Sequence, residues 1–347
     1  MFEFISIGDT MQDVFLEMTD ETAHLHTFHR KEAAQICFTY ADKIPVHAKH
    51  DTVGGNSANA AIAFARFGYK CAIYSHVGGD QQGVRIIDEF KKNHVATDYI
   101  VTDQDLESNF NTVLNLHGER TILIYHVHRH FALPKLAPAK WVYLSSMGEG
   151  FEKIFPDLIS YVKENDVNLC YQPGTFQLKY GAENTKDLLQ STKIFLVNKE
   201  EAELYLNRPA TDDFRSLLDG IRELGPQIVL ITDGTKGAYC SDGKEYLYMG
   251  IIKDAPRNEA TGAGDSFSSA FVSALAHGKP LSEALRWGQA EASSVIQFVG
   301  PQAGLLHMDQ MQHLLHKHPD MTAEVIGQPK HHSDEYIYCQ PEGYDRS

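Results

Sequence analysis

The chain has 347 residues, of which 43% are hydrophobic and 22% charged, with a formal net charge of -15 and a pI of about 5.6. This length suits one large α/β domain or two smaller ones, and the acidic charge argues against nucleic-acid and membrane partners, so we expect small-molecule ligands. The five cysteines form no C-x-x-C pair, no apolar run approaches the roughly 18 residues of a membrane span, and "MFEFISIG" lacks a basic leader, which together predict a cytoplasmic location.

The first third of the chain predicts elements of two kinds. Two stretches, 14–50 and 99–127, alternate polar and apolar residues, which is typical of half-exposed strands, and "HGER" (117–120) predicts a hairpin turn in the second. We expect both stretches to pair as a small β-sheet that covers the main body as a lid. The other elements are predicted as a buried strand at 4–8, an Ala-rich helix at 54–68 after a glycine turn, a strand at 71–78 and a helix at 83–93.

From about residue 140 strands and helices alternate regularly. This alternation of strands and helices predicts an α/β fold with a mostly parallel central sheet and helices on both faces. The tail from 319 to 347 is polar and has no periodicity, so we expect little order there. The predicted strands are 141–145, 167–171, 194–197 and 227–232, and the predicted helices lie near 151–164, 185–190, 199–206, 211–223, 265–277 and 282–299.

The segment "ATGAGDSF" (260–267) places small residues and one carboxylate at the start of a predicted helix. Backbone N–H groups there, from Gly262, Ala263 and Gly264, have no partner inside the helix, and the helix dipole favours an anion beside them, above all a phosphate. Asp265 then fits as a base that takes a proton from a hydroxyl attacking the phosphate. The alternative is an ordinary loop with Asp265 as a helix N-cap.

Two segments predict contacts to a hydroxylated ligand. Asp13 follows the first strand, at the carboxyl end where open α/β sheets bind ligands, and its carboxylate could accept hydrogen bonds. The turn of Gly54 and Gly55 leads into a helix whose first turn holds Asn59, an unusual residue for a helix interior unless its amide meets a ligand. The alternatives are a solvated loop aspartate and a helix capped by Asn56.

Two further segments predict contacts to a nucleotide. Asn198 and Glu201 lie three apart just past a buried strand, where they could hold a hydrated Mg²⁺ between phosphates. Thr232, Asp233 and Gly234 form a tight turn whose backbone could meet phosphates or ribose. The alternatives are a helix capped by Asn198 and an ordinary hairpin turn.

Several common motifs are absent. The sequence has no G-x-x-x-x-G-K-[ST], which excludes a P-loop, and no G-x-S-x-G, which disfavours an α/β-hydrolase. "GAGDSF" lacks the third glycine of the dinucleotide fingerprint and does not directly follow a strand, so NAD binding is disfavoured.

The order of the motifs resembles the ribokinase-like, or PfkB, family of carbohydrate and nucleoside kinases over roughly residues 2–316. This resemblance implies a ribokinase-like three-layer sandwich with a small β-sheet lid. It implies one kinase domain over 1–318, into which the lid segments are inserted, and a tail over 319–347. The matching positions are Gly8 and Asp13; Gly54, Gly55 and Asn59; Val77–Asp80 and Gly83; Asn198 and Glu201; Thr232, Gly234 and Gly237; and the signature at 259–265.

The resemblance implies ATP-dependent transfer of a phosphoryl group to a hydroxyl of a small sugar or sugar acid. The alternatives are a nucleoside kinase, such as one acting on adenosine, and a non-catalytic ligand-binding member. Mg²⁺ would be held through water near Asn198 and Glu201, and some relatives dimerise through the lid. The implied roles are Asp265 as general base, Gly262–Gly264 as anion hole, Asp13, Gly54, Gly55 and Asn59 as acceptor ligands, and Thr232, Asp233, Gly234 and Gly237 as nucleotide ligands.

Some positions depart from the family pattern. The signature begins Glu259-Ala260 instead of Asp-Thr, in a segment that helps several relatives to bind a monovalent cation, so K⁺ activation is left open. "YQPGTF" (171–176) replaces the commoner Asp-Pro-Asn/Gly, which leaves the substrate open. In the lid, Arg120 and Arg129 are candidates to bind a second substrate phosphate. His126, His128 and His130 are expected on one face of a strand, as a polar lid face or, alternatively, a metal site.

Overall fold

The computed structural model of the protein describes residues 1–27, 34–117, 119–252 and 257–326. Its strands are β1 (Phe2–Ile7), β2 (Met11–Glu17), β3 (His24–Thr27), β4 (Ala34–Cys37), β5 (Ala48–Gly54), β6 (Cys71–Gly78), β7 (Ala96–Asp103), β8 (Phe110–Leu116), β9 (Glu119–Tyr125), β10 (Ala139–Leu144), β11 (Asn168–Tyr171), β12 (Thr192–Asn198), β13 (Ile228–Thr232), β14 (Ala238–Ser241), β15 (Tyr246–Met249) and β16 (Glu324–Val325). Its α-helices are α1 (Asn56–Arg66), α2 (Gln81–Lys92), α3 (Phe155–Glu164), α4 (Thr175–Tyr180), α5 (Lys186–Gln190), α6 (Lys199–Tyr205), α7 (Phe214–Glu223), α8 (Ala263–Ala276), α9 (Leu281–Val295) and α10 (Met308–Lys317).

The main sheet has ten strands in the order β16-β15-β14-β13-β12-β11-β10-β1-β6-β7. The pairs from β13 to β7 are parallel, whereas β14, β15 and β16 join antiparallel at one edge. Helices connect the parallel strands, so their carboxyl ends meet at one edge of the sheet. The predicted α/β fold with a mostly parallel sheet is confirmed.

The core lies on both faces of this sheet. On one face, α3, α5 and α7 bury Leu158, Leu189 and Leu217 against the strands. On the other face, α1 and α8 bury Phe64 and Phe271. Strands covered on both faces are apolar along their whole length, which is why the central strands are continuous hydrophobic runs in the sequence.

A small sheet stands apart from the main one, in the order β5-β2-β8-β9. It joins the stretches 14–50 and 99–127, as predicted, while β3 and β4 form a separate two-stranded pair. One part of the expectation is wrong, because β7 pairs with β6 at the edge of the main sheet and does not belong to the small sheet. An edge strand is covered incompletely, so β7 is partly exposed in the same way as a lid strand.

Three other findings differ from the sequence predictions. The predicted strand through His126, His128 and His130 is wrong: β9 ends at Tyr125, and residues 126–138 carry no regular structure. The short helices α4 and α10 were not predicted, because six and ten residues give little periodicity. The tail region contributes β16, which pairs with β15.

Some predictions fall on residues that the structure does not describe. These are the hairpin glycine Gly118, residues 28–33 of the lid stretch, and 327–347 of the tail. In the described ranges, no helix is long and apolar enough to cross a membrane. The same ranges contain no group of three His, Cys, Asp or Glu side chains that could hold a metal ion, so the alternative metal site at His126, His128 and His130 is not formed.

Candidate active site

Asp265 lies in the first turn of α8, at the edge where the parallel strands end. Its two carboxylate oxygens accept hydrogen bonds from different elements: Asn59 Nδ2 of α1 donates to Oδ2 at 2.8 Å, and Gln172 Nε2, just after β11, donates to Oδ1 at 2.9 Å. The structure therefore brings together Asn59 and Asp265, which are 206 residues apart in sequence. The alternative of an Asn56 cap does not form, because the N-cap of α1 is Gly55 and no side chain caps the helix.

A second layer of hydrogen bonds orients the two amides. The hydroxyl of Tyr143 donates to Oε1 of Gln172. Gln302 Nε2 donates to Oδ1 of Asn59 at 3.0 Å and to the carbonyl of Val53 at 2.8 Å. Because each amide oxygen is occupied, each amide nitrogen must point at Asp265, and the carboxylate is held in one orientation.

The electrostatics of the site suit a proton acceptor. Burial raises the pKa of Asp265 above its ordinary value, against the hydrogen bonds from Asn59 and Gln172 and the positive charge of Arg120. A carboxylate with a raised pKa is a better general base near neutral pH than an exposed one.

The start of α8 supplies backbone donors and open space. Gly262 has a φ of 79° and marks the N-cap. The N–H of Ala263 already donates to the carbonyl of Ala260 at 3.2 Å, so the first-turn N–H groups of Gly264 and Asp265 are the ones without a hydrogen-bond partner in the described part of the chain. A Cβ placed on Gly264 would meet nothing within 4 Å. This space beside free donors has the character of an anion site.

Glu259 and Arg120 form a charged pair next to Asp265. The Glu259 side chain is 1% exposed and accepts hydrogen bonds from the N–H of Thr261 at 2.7 Å, from the Thr261 hydroxyl, and from the N–H of Gly300 at 3.3 Å. Arg120 Nη1, on lid strand β9, lies 4.0 Å from Oε1 of Glu259. Arg120 therefore reaches from the small sheet to the start of α8.

Asp13 lies on β2 and is buried with its carboxylate toward the same cleft. Asn111 Nδ2 donates to its Oδ1 at 2.9 Å, and burial raises its pKa to about 7, with the negative charges of Asp265 and Glu259 adding to the shift. Gly54 has no room for a side chain, because a Cβ there would lie 1.9 Å from Oδ2 of Asp13. The solvated-loop alternative for Asp13 is wrong, since the residue is 6% exposed.

Gly55 has a structural reason to be glycine. Its φ is 105°, and a Cβ would lie 2.4 Å from the carbonyl oxygen of Asp9. The tight turn that this permits brings the start of α1 against the loop after β1.

Asn198 caps a helix, which is the alternative that the sequence analysis gave for Asn198 and Glu201. Asn198 Oδ1 accepts from the N–H of Glu201 at 2.8 Å, and Glu201 Oε2 accepts from the N–H of Asn198 at 2.9 Å, which is a capping box at the start of α6. Burial raises the pKa of Glu201, and the charge of Asp265 adds to the shift, so this carboxylate also lies within electrostatic reach of the cleft.

The turn after β13 is a hairpin that leads to β14, as the alternative reading of that segment expected. Thr232 ends β13, and the N–H of Asp233 donates to the carbonyl of Gly237 at 2.8 Å. Gly237 has a φ of 100° and no room for a Cβ, whereas a Cβ on Gly234 would meet nothing within 4 Å. This turn opens at the same sheet edge as Asn198, because Asn198 pairs with Thr232.

Arg129 does not face the cleft as a phosphate ligand. Its side chain is fully buried and donates to the carboxylate of Asp103 and to the carbonyl of Glu107 at 2.5 Å. Two other residues were missed as contacts of the site. Gln172 was visible only as a departure in "YQPGTF", and Gln302 lies in a loop with no periodicity.

Comparison with known proteins relates the chain to one family. A family model described as pfkB family carbohydrate kinase matches residues 23–308. A ribokinase of Bacillus subtilis (strain 168) is 26% identical over 269 residues, which cover 76% of this chain and 87% of that protein.

Two solved structures share the fold. Arabidopsis thaliana ribokinase, complexed with ribose and ATP, matches with a TM-score of 0.74 and 21% identity over 90% of this chain and 98% of that one. A Methanocaldococcus jannaschii nucleoside kinase, an archaeal member of the ribokinase family, matches with a TM-score of 0.71 and 19% identity over 92% of this chain and 99% of that one. The predicted ribokinase-like fold is thereby confirmed. The chain belongs to the pfkB family of carbohydrate kinases, and is a phosphotransferase of the sugar and nucleoside kinase type.

Proposed function

We propose that the protein transfers the γ-phosphoryl group of ATP to a hydroxyl of a small sugar or sugar acid. The observation that carries this proposal is the Asp265 carboxylate, held by Asn59 and Gln172 beside the open space at Gly264. The acceptor hydroxyl lies between Asp265 and the phosphoryl group. Its oxygen forms the new bond to phosphorus, the bond from phosphorus to the ADP oxygen breaks, and the hydroxyl proton passes to Asp265.

Backbone donors at the start of α8 stabilise the charge of the transferring group. The N–H groups of Gly264 and Asp265 are fixed before the reaction, so they need no reorganisation in the transition state. Arg120 adds a positive charge from the lid side of the cleft. Asp13 and Asn59, with the turn of Gly54 and Gly55, hold the other hydroxyls of the acceptor and position the reacting one.

The nucleotide occupies the carboxyl ends of β12 and β13. The hairpin turn from Thr232 to Gly237 lines it, and its Gly234 leaves open space beside the backbone. Glu201 fits Mg²⁺ bound through water, since its Oε2 is used in the capping box while no hydrogen bond within the described ranges occupies its Oε1. Mg²⁺ bound there would neutralise phosphate charge.

Activation by K⁺ is not part of this proposal. The Glu259 carboxylate at the start of the signature already accepts hydrogen bonds from Thr261 and Gly300, and Arg120 supplies a positive charge 4.0 Å away. We therefore expect equal activity in potassium chloride and in tetramethylammonium chloride at one ionic strength.

The proposed organisation is a single kinase domain over 1–318, in the cytoplasm, that dimerises through its lid. Strand β9 supports the dimer, because it ends the small sheet and exposes Leu123 and Ile124 by 57% and 65%. An edge strand with exposed apolar residues is a surface that pairs readily with another chain. Light scattering of the wild type and of Ile124→Lys would measure the mass in solution, and a monomeric wild type would contradict the dimer.

An ADP-release screen tests the proposed function. The acceptors are D-ribose, D-fructose, D-glucose, D-gluconate, fructose 6-phosphate and adenosine, each with Mg-ATP, and with no acceptor as the control. We expect release above the control with a sugar or a sugar acid. ADP release with adenosine alone would show that the protein is a nucleoside kinase and not a sugar kinase. If no acceptor raises ADP release above the control, a ligand-binding protein without activity is favoured.

A further inference from the structure

Another buried carboxylate lies at the same edge of the main sheet as Asp265, and it has no role in the proposed transfer. Asp9 follows β1, and its side chain is 3% exposed. Its Oδ2 lies 4.0 Å from Nδ1 of His126, which is too far for a hydrogen bond. That nitrogen is buried and has no hydrogen-bond partner in the described ranges. Buried polar atoms are normally paired, so the unpaired nitrogen of His126 indicates a binding place for a ligand atom. The space between Oδ2 of Asp9 and Nδ1 of His126 is called the gap below.

Gly148 borders the gap and leaves it open. A Cβ on Gly148 would meet only Oδ2 of Asp9 at 3.5 Å and Nδ1 of His126 at 4.0 Å. These are ordinary contact distances, and Gly148 is not among the glycines with a positive φ. Neither backbone strain nor a steric clash therefore requires glycine at this position. The missing side chain instead leaves room for an atom of a ligand.

The gap lies at the same edge of the main sheet as Asp265, and two segments connect the two places. The segment after β11 connects them, because Gln172 donates to Asp265 while the ring of Phe176 lies 6.2 Å from that of His126. The start of α1 connects them as well. The Ser57 hydroxyl donates to the carbonyl of Asp9 at 2.8 Å, two residues before Asn59. Two chain segments thus run from the surroundings of Asp265 to those of the gap.

The chemistry of the gap fits a hydroxyl group. Burial lowers the pKa of His126, so its imidazole is neutral near pH 7 and offers one donor and one acceptor. Burial raises the pKa of Asp9 to about 7, against a backbone hydrogen bond from Gly148 and the charge of Arg129. A hydroxyl can donate to the carboxylate and accept from the imidazole, and two hydrogen bonds of about 2.8 Å span a 4.0 Å separation. A carboxylate or phosphate would be repelled by ionised Asp9.

We propose that Asp9 and His126 form a hydroxyl-binding subsite at the end of the acceptor pocket remote from Asp265, in the space left by Gly148. The subsite selects an acceptor whose far end is a neutral polyol over one that ends in a carboxylate or phosphate. This inference rests on the proposed function and narrows its substrate class to neutral sugars.

Steady-state kinetics of ADP release test the subsite. The acceptors are D-gluconate and the best neutral sugar of the screen, and the variants are Gly148→Ala, Asp9→Asn and His126→Phe. Asp157→Asn is the matched control, because it removes the same charge from an exposed position on α3. For each of the three variants we expect the KM for the neutral sugar to rise at least tenfold, with the KM for ATP within twofold of wild type. Asp9→Asn should also raise kcat/KM for D-gluconate relative to the neutral sugar at least tenfold.

Two results would overturn the inference, and they are distinguishable. If the wild type turns over and the Gly148→Ala and Asp9→Asn proteins keep the sugar KM within twofold, the subsite is wrong and the proposed function stands. If the wild type transfers phosphoryl to no acceptor, the proposed function fails and the subsite fails with it. Gly148→Ala is expected to fold normally, since the added methyl meets no atom closer than 3.5 Å. A change in its KM therefore reports on the subsite and not on misfolding.

Discussion

At the scale of single residues, Gly262 and Gly264 lie two positions apart and have different reasons to be glycine. Gly262 adopts a φ of 79°, and a Cβ there would lie 2.4 Å from Cβ of Pro301, so the fold needs it. Gly264 has no positive φ, and a Cβ there would meet nothing within 4 Å, so the fold does not need it. The open space at Gly264 is the place where the proposal puts the transferring phosphoryl group.

This difference predicts opposite outcomes for two variants. Gly264→Val should fold normally and lower kcat by roughly 10²-fold or more, because its side chain fills the phosphoryl space beside the backbone donors. Gly262→Ala should lose stability by about 1–3 kcal/mol, because it forces both a strained φ and a clash. Thermal unfolding and ADP release measure the two effects. A Gly264→Val protein with kcat within twofold of wild type would contradict the anion site.

The sequence predicted some contacts of the site and not others. Asp265, Asp13 and Asn59 stand at fixed offsets from glycines in local motifs, so their place near one another followed from the order of strands and helices. Gln172 and Gln302 lie in loops, and their partners Asp265 and Asn59 are 93 and 243 residues away in sequence. Only tertiary packing decides such contacts.

At the scale of elements, a buried cluster fastens the lid hairpin β8–β9 to the main sheet. Arg129 follows β9 and donates to the carboxylate of Asp103 at the end of β7 and to the carbonyl of Glu107 before β8. Asp103 Oδ2 also lies 3.0 Å from Nδ1 of His76 on β6. One guanidinium therefore joins the chain that enters the hairpin to the chain that leaves it.

Removal of Arg129 should loosen the lid. Arg129→Leu leaves Asp103 without its main counter-charge, because burial lowers the pKa of His76 and keeps that imidazole neutral. We expect a loss of about 2–4 kcal/mol of stability, below the usual cost of breaking a buried pair because Asp103 is 25% exposed. The KM for the acceptor should rise as well. Denaturant unfolding and kinetics measure both effects, with the exposed Arg85→Leu as control.

A double variant separates charge from shape in this cluster. If the pair acts by charge, adding Asp103→Leu to Arg129→Leu should recover part of the lost stability, since no buried charge is then left alone. Equal losses for the single and the double variant would contradict the role given to Arg129.

The elements themselves were largely predictable, with one instructive error. The stretch 99–127 was predicted to belong to the lid, yet its first residues lie in β7 of the main sheet. Alternation reports only that one face of a strand is exposed, which is equally true of a lid and of a sheet edge. Strands β6, β12 and β13 are continuous apolar runs, so the sequence assigned them to the main sheet without this ambiguity.

At the scale of the whole molecule, buried acids oppose folding as pH rises. Glu291 on α9 is fully buried and accepts a hydrogen bond from the N–H of Leu306 at 3.0 Å, and burial raises its pKa to about 8. Between its ordinary value near 4.5 and 8, the folded protein holds a proton that the unfolded chain has released. Stability conferred by this group is therefore full below about pH 4.5 and is lost as the pH rises toward 8.

Replacement of Glu291 by Gln should remove this loss. The advantage of Glu291→Gln over the wild type in the free energy of unfolding should grow from pH 5 to pH 8, by at most about 1.4 kcal/mol per pH unit. Denaturant unfolding at the two pH values measures it, with the exposed Glu164→Gln as control. Parallel pH profiles for the wild type and Glu291→Gln would show that Glu291 does not titrate in this range.

The most direct measurement of the central claim compares the wild type with Asp265→Asn, using the best acceptor of the screen. If Asp265 removes the hydroxyl proton, kcat for ADP release should fall by roughly 10²–10⁴-fold, while the unfolding temperature and the affinity for ATP, measured by calorimetry, stay close to wild type. The asparagine keeps the size of the side chain but replaces one acceptor oxygen by an amide nitrogen, so the hydrogen bond from Asn59 or from Gln172 is lost. Removal of the buried charge offsets that loss, because burial disfavours the ionised carboxylate. An Asp265→Asn protein that retains more than about a tenth of the wild-type kcat would contradict the assignment of Asp265 as the base.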